Sequence, residues 1–340
     1  MERIYSIDFI KFFAITAVVI IHIFPLDGFT GYFIIDNIAR FAVPFFFAAS
    51  GYFFAQKMIQ KDAAFLYLKT YVIKLMKIYI VWLIFYAIYD VLIILLKGNH
   101  IQRNLIKYFD EFTFANVLYY GKGTSGYQLW FLTALIWCTI ILYIFIRYNR
   151  VTLLFILSLL FNVLGVFGQA YINFFEFPFS NTRDALFFGL FYTTLGAIFA
   201  FNVHLKKIRK ISGFTYLFLA LIYIVIQVME GYLLDKVLDG SHGEYYFSTI
   251  LVTAFLFYFA LNHKKIGKGI WITKVGGNAL GIYIIHVFFL DLINNLLKYL
   301  DIKQMLSENL FWNIFYTILI FILSYYTYQS LQIVKKEMKD

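Results

Sequence analysis

Two ionisable side chains lie inside strongly apolar segments, and they are the first candidates for chemistry. His22 stands near the end of the apolar run 9–23, and Arg40 stands near the start of the run 38–54. An ionisable residue inside a membrane span is costly unless it is paired or has a function. A histidine can accept a proton from a hydroxyl near neutral pH, and an arginine can hold an anion. These two residues therefore indicate a chemical site within a membrane.

His22 and Asp8 are expected on one face of the first helix, at its opposite ends. Asp8, Ile15 and His22 recur at a spacing of seven residues, which puts them near one helical face. The helical rise separates Asp8 from His22 by about 21 Å, so Asp8 should lie at the cytoplasmic end and His22 near the outer surface. The structural alternative for His22 is a hydrogen bond to a backbone carbonyl between helices.

Arg40 is expected at a similar depth, in an antiparallel neighbour of the first helix. Pro44 follows one turn later and has no N–H to bond the Arg40 carbonyl, so the helix should kink there. A guanidinium at this depth needs an anion or several acceptors. The structural alternative is a side chain that extends to the outer headgroups.

Later segments carry further candidates for substrate or cofactor binding. Lys74 and Lys77 share one helical face and could hold phosphate groups, although ordinary positive-inside charge explains them without a ligand. His286 lies mid-span with Tyr283 one turn before it, and either function or helix packing accounts for it. Trp130 fits an interfacial anchor or the lining of a cavity mouth.

Signatures of nucleotide and metal chemistry are absent from the sequence. It contains no P-loop, dinucleotide-binding glycine run, zinc-protease helix or nucleophile elbow. The single cysteine, Cys138, permits no intrachain disulfide and no zinc cluster, so we expect no metal. Arg183 and Asp184, which precede the sixth apolar segment, are expected to pair with each other.

Ten apolar segments must position these side chains, and they predict an all-α, polytopic membrane protein. The chain is 62% hydrophobic and 14% charged, with a mean hydropathy of +0.77, and a spanning helix needs about 20 apolar residues. We predict one integral membrane domain over 1–340. Its spans are expected at 7–26, 34–55, 72–96, 127–146, 151–168, 185–202, 214–233, 244–262, 275–296 and 309–332.

The formal charge of +10 follows this topology. Most lysines and arginines fall on the side of the two termini, so the positive-inside rule places both termini in the cytoplasm. The charge therefore indicates membrane lipids as partners and no nucleic acid.

Motifs along nearly the whole chain resemble those of the acyltransferase-3 family of integral membrane acyltransferases. The first helix carries YSIDFIK at 5–11 and VVIIH at 18–22, and the second carries ARFAVPFFF at 39–47 and SGY at 50–52. LWFL at 129–132 resembles the fourth-helix motif of the family, and GNALGIYIIH at 277–286 resembles its late motif. The chain resembles the stand-alone branch, which has no appended esterase-like domain.

The resemblance implies transfer of an acyl group, most often acetyl, from cytosolic acyl-CoA to a hydroxyl at the outer face. Acceptors in the family are cell-envelope glycans and lipid-linked sugars. We accordingly expect a multi-pass enzyme of the bacterial cell membrane, with acetyl-CoA or another acyl-CoA as co-substrate. A homodimer is left open.

The motifs also imply roles for individual residues. His22 matches the essential histidine of the family and Arg40 its second-helix arginine, so both are predicted to be catalytic. Lys74 and Lys77 stand where some members have an Arg-x-x-Arg pair, and they are predicted to bind the cofactor. The predicted substrate-binding residues are Trp130, Tyr283, His286 and Asp8.

Two other classes of function fit a bundle of apolar helices. A related membrane module is fused to amino-acid racemases in some bacteria, and a transporter or exporter of small solutes or glycan units would use a similar bundle. A scaffold for a polysaccharide synthase complex is the third hypothesis, and it predicts tolerance to substitution of both His22 and Arg40.

Overall fold

A computed structural model describes residues 3–25, 30–59, 64–174, 181–204, 213–238 and 240–338. These residues form an all-α structure with no strand among them, which confirms the predicted fold class. The α-helices are α1 Tyr5–Ile21, α2 Thr30–Ala39, α3 Ala42–Ile59, α4 Ala64–Lys97, α5 Ile101–Asp110, α6 Trp130–Arg147, α7 Val151–Phe167, α8 Leu190–His204, α9 Gly213–Tyr232, α10 Phe247–Asn262, α11 Trp271–Gly277, α12 Ala279–Tyr299, α13 Lys303–Ser307 and α14 Leu310–Glu337.

Seven helical stretches in the described part of the chain are long and apolar enough to cross a membrane. They are Gly31–Ile59, Ala64–Lys97, Tyr127–Arg147, Ala185–Asn202, Phe214–Val237, Ala279–Tyr299 and Leu310–Glu337. α7 and α10 are shorter apolar helices, and α1 has 17 residues, or about 26 Å against a hydrocarbon core of about 30 Å. The protein is thus a multi-pass helical membrane protein, while the count of ten spans and the side of the termini stay predictions.

The second apolar stretch is interrupted where Pro44 was predicted to bend it. α2 ends at Ala39 and α3 begins at Ala42, with Pro44 in its first turn. A proline is tolerated in the first turn of a helix because the N–H groups there have no intrahelical acceptor. The break therefore leaves Arg40 at a helix end instead of within a continuous helix.

The helices divide into two compact units. The terminal unit comprises Met1–Val43 and Leu256–Asp340, and the central unit comprises Pro44–Phe255. The terminal unit contains α1, α2, α11, α12, α13 and α14. The expectation of one domain over 1–340 stays a prediction.

The terminal unit is built around α1, which contacts α2, α11, α12 and α14. A Cβ at Gly276 of α11 would overlap the carbonyl oxygen of Asp8, so the backbones of α1 and α11 meet directly. At the other end of α1, Val19 packs in a buried cluster with Leu290 of α12 and Ile320 of α14. α1 is therefore held at both ends by helices from the C-terminal part of the chain.

In the central unit, the backbones of α3 and α8 also approach each other closely at glycines. A Cβ at Gly51 would overlap the Thr193 carbonyl oxygen, and a Cβ at Gly196 would overlap the Ala48 carbonyl oxygen. Small residues let helix backbones approach in a membrane, where van der Waals packing replaces the hydrophobic effect between helices.

Glu230, near the end of α9, is the clearest example of a satisfied carboxylate in the central unit. Its two oxygens accept hydrogen bonds from the Phe247 and Ser248 amides, the Ser248 hydroxyl and the Tyr171 hydroxyl. It thereby caps the N-terminus of α10, where the helix dipole favours negative charge. Its role in the structure is to join α9 to α10.

Neighbouring glycines in α11 test the contact between α1 and α11. Gly276→Ala should lower the midpoint of thermal unfolding, because the added methyl group meets the Asp8 backbone; overpacking of this kind costs about 1–3 kcal/mol. Gly277→Ala is the matched control, because its Cβ would meet the flexible Arg3 guanidinium at 3.2 Å and the Asp8 carboxylate at an ordinary contact distance of 3.8 Å, and no backbone atom of another helix lies nearer than these. Equal midpoints for the two purified variants would contradict this packing.

Candidate functional site

The His22 and His286 rings meet in the terminal unit. Their centroids lie 5.5 Å apart and their planes are inclined by 26°, which is a stacked arrangement. His22 directly follows α1, and its backbone N–H bonds the Val19 and Ile20 carbonyls, while His286 lies within α12 and is fully buried. The two histidines that were singled out separately in the sequence therefore form one site.

The hydrogen bond of His286 determines which of its ring nitrogens can act as a base. Nδ1 lies 2.7 Å from the Tyr283 carbonyl oxygen, and a carbonyl can only accept, so Nδ1 carries the proton. Nε2 then presents a lone pair, and it has no hydrogen-bond partner among the described residues. The neutral ring is consequently prepared to accept a proton or a hydrogen bond.

Tyr283 contributes to this site mainly through its backbone. It lies one turn before His286, as predicted, and its ring centroid is 5.8 Å from that of His286. The Tyr283 side chain is itself buried. Its carbonyl thus orients the imidazole, and its ring is part of the wall around it.

Arg40 is neutralised by a residue that the sequence analysis did not single out. Nε and Nη2 of Arg40 each donate to a carboxylate oxygen of Asp36 at 2.9 Å, and the two side chains are only 11% and 5% exposed. A bidentate pair of this kind satisfies the guanidinium without extension to the headgroups. The sequence feature that could have predicted this pair is the spacing of four residues, which places Asp36 and Arg40 on one helical face.

Asp8 lies in the first turn of α1, at the opposite end from His22, as the sequence indicates. It pairs with Arg3 at 2.8 Å and with Lys11 at 3.7 Å. A carboxylate is favourable at the N-terminus of a helix, so these contacts give Asp8 a structural role. Its predicted part in substrate binding stays a prediction.

Lys74 and Lys77 lie on α4 in the central unit, and both side chains are exposed. They share a face of that helix, as their spacing predicts. Their predicted role in cofactor binding stays a prediction, as do the roles of the other site residues.

Trp130 begins α6 in the central unit and is only 6% exposed. Its ring packs against the Phe47 and Phe188 rings, and the Arg183 guanidinium carbon lies 5.1 Å above it. Arg183 Nη1 also pairs with Glu244 at 2.5 Å. Trp130 is therefore buried among aromatic rings, next to a partly exposed ion pair, and is not an exposed interfacial anchor.

The expected pair of Arg183 with Asp184 is wrong, because each residue has another partner. Asp184 accepts from the Phe187 amide at 2.9 Å and from the Tyr119 hydroxyl at 3.1 Å, which caps the π-helical turn Ala185–Gly189. Burial raises the pKa of the Asp184 carboxyl above its ordinary value, and these two hydrogen bonds oppose the rise. Asp184 therefore bonds to a backbone N–H of this turn that lacks an intrahelical acceptor, and not to Arg183, its neighbour in sequence.

Lys122 is the other titratable group close to this cluster. Burial lowers the pKa of its ammonium, and the positive charge of Arg183 lowers it further. Its ammonium also lies 5.4 Å from the centre of the Tyr120 ring.

In the described part of the chain, no three His, Cys, Asp or Glu side chains are grouped to hold a metal ion.

Fold and site together define a polytopic helical membrane protein with a stacked histidine pair. The chain belongs to the acyltransferase-3 family, because the family model, described as an acyltransferase domain, matches residues 4–329. This confirms the resemblance seen in the sequence motifs.

Two curated relatives carry a different name. Both are called amino-acid racemase and come from Enterococcus faecalis. One is 26% identical over 325 residues, which cover 89% of this chain and 43% of the relative. The other is 28% identical over 211 residues, which cover 57% of this chain and 28% of the relative. The chain thus spans less than half the length of these relatives, and no solved structure matched it.

The Asp36–Arg40 pair predicts a non-additive effect on stability. Asp36→Asn should destabilise the protein by about 3–5 kcal/mol, because it leaves a buried guanidinium without its counter-charge. The double variant Asp36→Asn/Arg40→Gln should recover much of that loss. Unfolding of the two single variants and the double variant in detergent measures the coupling, and strictly additive losses would show that the pair does not contribute as a unit.

Proposed function

We propose that this protein is a membrane O-acyltransferase, with acetyl as the first acyl group to test. It transfers this group from cytosolic acyl-CoA to a hydroxyl of a cell-envelope glycan or lipid-linked sugar at the outer face. Membership of an acyltransferase family supports the reaction class. The observation that carries the proposal is the contact between His22 and His286, because it joins two proton-accepting rings in an apolar bundle. The orientation of donor and acceptor rests on the charge asymmetry of the sequence.

In this proposal His22 is the general base. A ring nitrogen of His22 takes the proton of the acceptor hydroxyl while the hydroxyl oxygen bonds to the thioester carbonyl carbon. The carbon–sulfur bond then breaks, and the sulfur leaves with the electron pair as the CoA thiolate. The proton passes from the His22 imidazolium to that thiolate, so the base is restored and an ester and free CoA are formed.

His286 acts through His22 and is a positioning residue. His22 is partly exposed whereas His286 is fully buried, so His22 is the ring that substrate can reach. The neutral His286 ring fixes the plane of His22 and lies beside the positive charge that develops on it, a favourable arrangement in a low-dielectric site.

Arg40 is proposed to stabilise the oxyanion of the tetrahedral intermediate or to hold an anionic group of the substrate. Asp36 accepts from the Nε–Nη2 edge of the guanidinium. Lys74 and Lys77 are proposed to contribute to donor binding from the cytoplasmic side.

Substitutions of the histidine pair test the proposed reaction. Inside-out vesicles are prepared with an acceptor extract enclosed in their lumen and are then incubated with acetyl-labelled CoA, and transfer of label to glycan or lipid is followed. His22→Ala should lower the rate by about 10²–10⁴-fold, the usual contribution of a general base. His286→Phe, which keeps an aromatic ring, should retain more activity than His286→Ala if stacking is its main role.

His100→Asn is the matched control, because His100 is an exposed histidine with a left-handed backbone conformation that asparagine tolerates. It should transfer at the wild-type rate. Full transfer by a correctly inserted His22→Ala protein would overturn the proposed mechanism. A covalent acyl group on His22 is the alternative route, and mass spectrometry of acid-quenched protein would detect it.

Transport of a small solute or glycan unit is the second candidate function. The two relatives named amino-acid racemase prompt this hypothesis, because the region that matches this chain is less than half of each and leaves a separate region for racemisation. An amino acid is accordingly the first solute to test. Uptake of labelled amino acid into proteoliposomes that depends on an ion gradient and consumes no acyl-CoA would select transport over acyl transfer.

A further inference from the structure

A basic cavity opens where α10 ends, in the terminal unit and on the side predicted to be cytoplasmic. Its volume is about 420 Å³, and it is lined by the residues that follow one another from the end of α10: Leu261, Asn262, His263, Lys264, Lys265 and Ile266. Two adjacent lysines and a histidine thus line one small cavity.

The positive charge of this cavity is not neutralised within the described residues. Neither Lys264 nor Lys265 forms an ion pair there. Asp8, at the start of the neighbouring helix α1, is already paired with Arg3 and Lys11. The cavity therefore offers two ammonium groups to an anion that enters it.

The backbone of the segment adds hydrogen-bond donors. The Lys264 and Lys265 amides donate to no acceptor in the described part of the chain. Beyond them, Gly267 and Gly269 both have φ of +81°, and the Thr273 hydroxyl bonds the Gly267 carbonyl at 2.7 Å. Successive amides with lysine side chains form the kind of concave donor set that binds phosphate.

The cavity is fixed to the helix that ends at His22. The Tyr5 and Ser6 amides donate to the Lys264 carbonyl at 2.9 and 3.4 Å, and the Ser6 hydroxyl donates to the Ala260 carbonyl at 2.6 Å. From Ser6 to His22, α1 extends about 24 Å. One rigid helix therefore joins the cavity at its start to the histidine pair at its end.

We propose that this cavity binds the phosphate groups of the acyl-CoA donor, an inference that rests on the proposed function. Coenzyme A carries a diphosphate and a phosphate monoester at one end and its thioester at the end of a long arm. With the phosphates held by Lys264 and Lys265, the arm runs along α1 toward His22. Phosphate groups of membrane lipids have the same chemistry, so the test must separate the two sources.

Binding of non-acylated coenzyme A to the full-length protein tests this proposal without catalysis. The protein is placed in nanodiscs of zwitterionic lipid, and the Kd is measured by isothermal titration calorimetry. Lys264→Gln/Lys265→Gln should weaken binding by about tenfold or more, the loss expected when a charge-assisted hydrogen bond is removed. Inorganic pyrophosphate should compete with coenzyme A for the wild-type protein and less for the variant.

Lys335→Gln/Lys336→Gln is the matched control, because it removes another adjacent, exposed lysine pair of the terminal unit, in the last turn of α14. Its Kd should stay within about twofold of wild type if binding is specific and not a general effect of charge. An unchanged Kd for Lys264→Gln/Lys265→Gln, or no binding by the wild type, would overturn the proposal.

Two further arms identify the source of the phosphate and separate this inference from the proposed function. The same Kd is measured in a second set of nanodiscs that contain anionic lipid. If Lys264→Gln/Lys265→Gln differs from wild type only in these nanodiscs, the lysines bind lipid and the proposal is wrong. His22→Ala should bind coenzyme A normally and fail to transfer. Normal transfer by His22→Ala contradicts the proposed mechanism. Normal coenzyme A binding by the lysine variant contradicts only the proposed role of the cavity in phosphate binding.

Discussion

Hydrocarbon cannot solvate a polar group, and the arrangement of this protein depends on that constraint. Each ionisable side chain within the apolar helices must find a partner inside the protein. Arg40 is paired with Asp36 through two hydrogen bonds, and Glu230 accepts from four donors at the start of α10. Against this background, the His286 Nε2 has no partner among the described residues and its ring stacks on that of His22, so we take this point as the candidate site.

The position of that site follows from how α1 is packed. α1 meets α11 backbone to backbone at Gly276, and its other end packs with α12 and α14 in a buried cluster. Because both ends are held, the ring of His22 is placed against His286 with little freedom. A base that is fixed before substrate arrives needs less reorganisation in the transition state.

The family model and the two relatives carry the names of different enzymes. The family model describes an acyltransferase domain, whereas the two relatives are named for another enzyme and are more than twice as long as the region they share with this chain. In the acyl-transfer proposal, one helix links a basic cavity to a histidine pair, and a donor with a phosphate end and a reactive end fits that separation.

The sequence by itself determined the helical class, the apolar segments, a bend near Pro44 and the ionisable residues inside apolar segments. It also contained the spacing that pairs Asp36 with Arg40, because contacts one turn apart follow from helical periodicity. It left Trp130 as an interfacial anchor or the lining of a cavity mouth, and the structure buries the ring below Arg183. It also paired Arg183 with the wrong acid. Only the tertiary structure decided that His22 meets His286 and that Lys264 is bonded to the start of α1. These contacts join segments far apart in the chain, and packing between such helices depends on close backbone approach at single glycines, which a local periodicity does not encode.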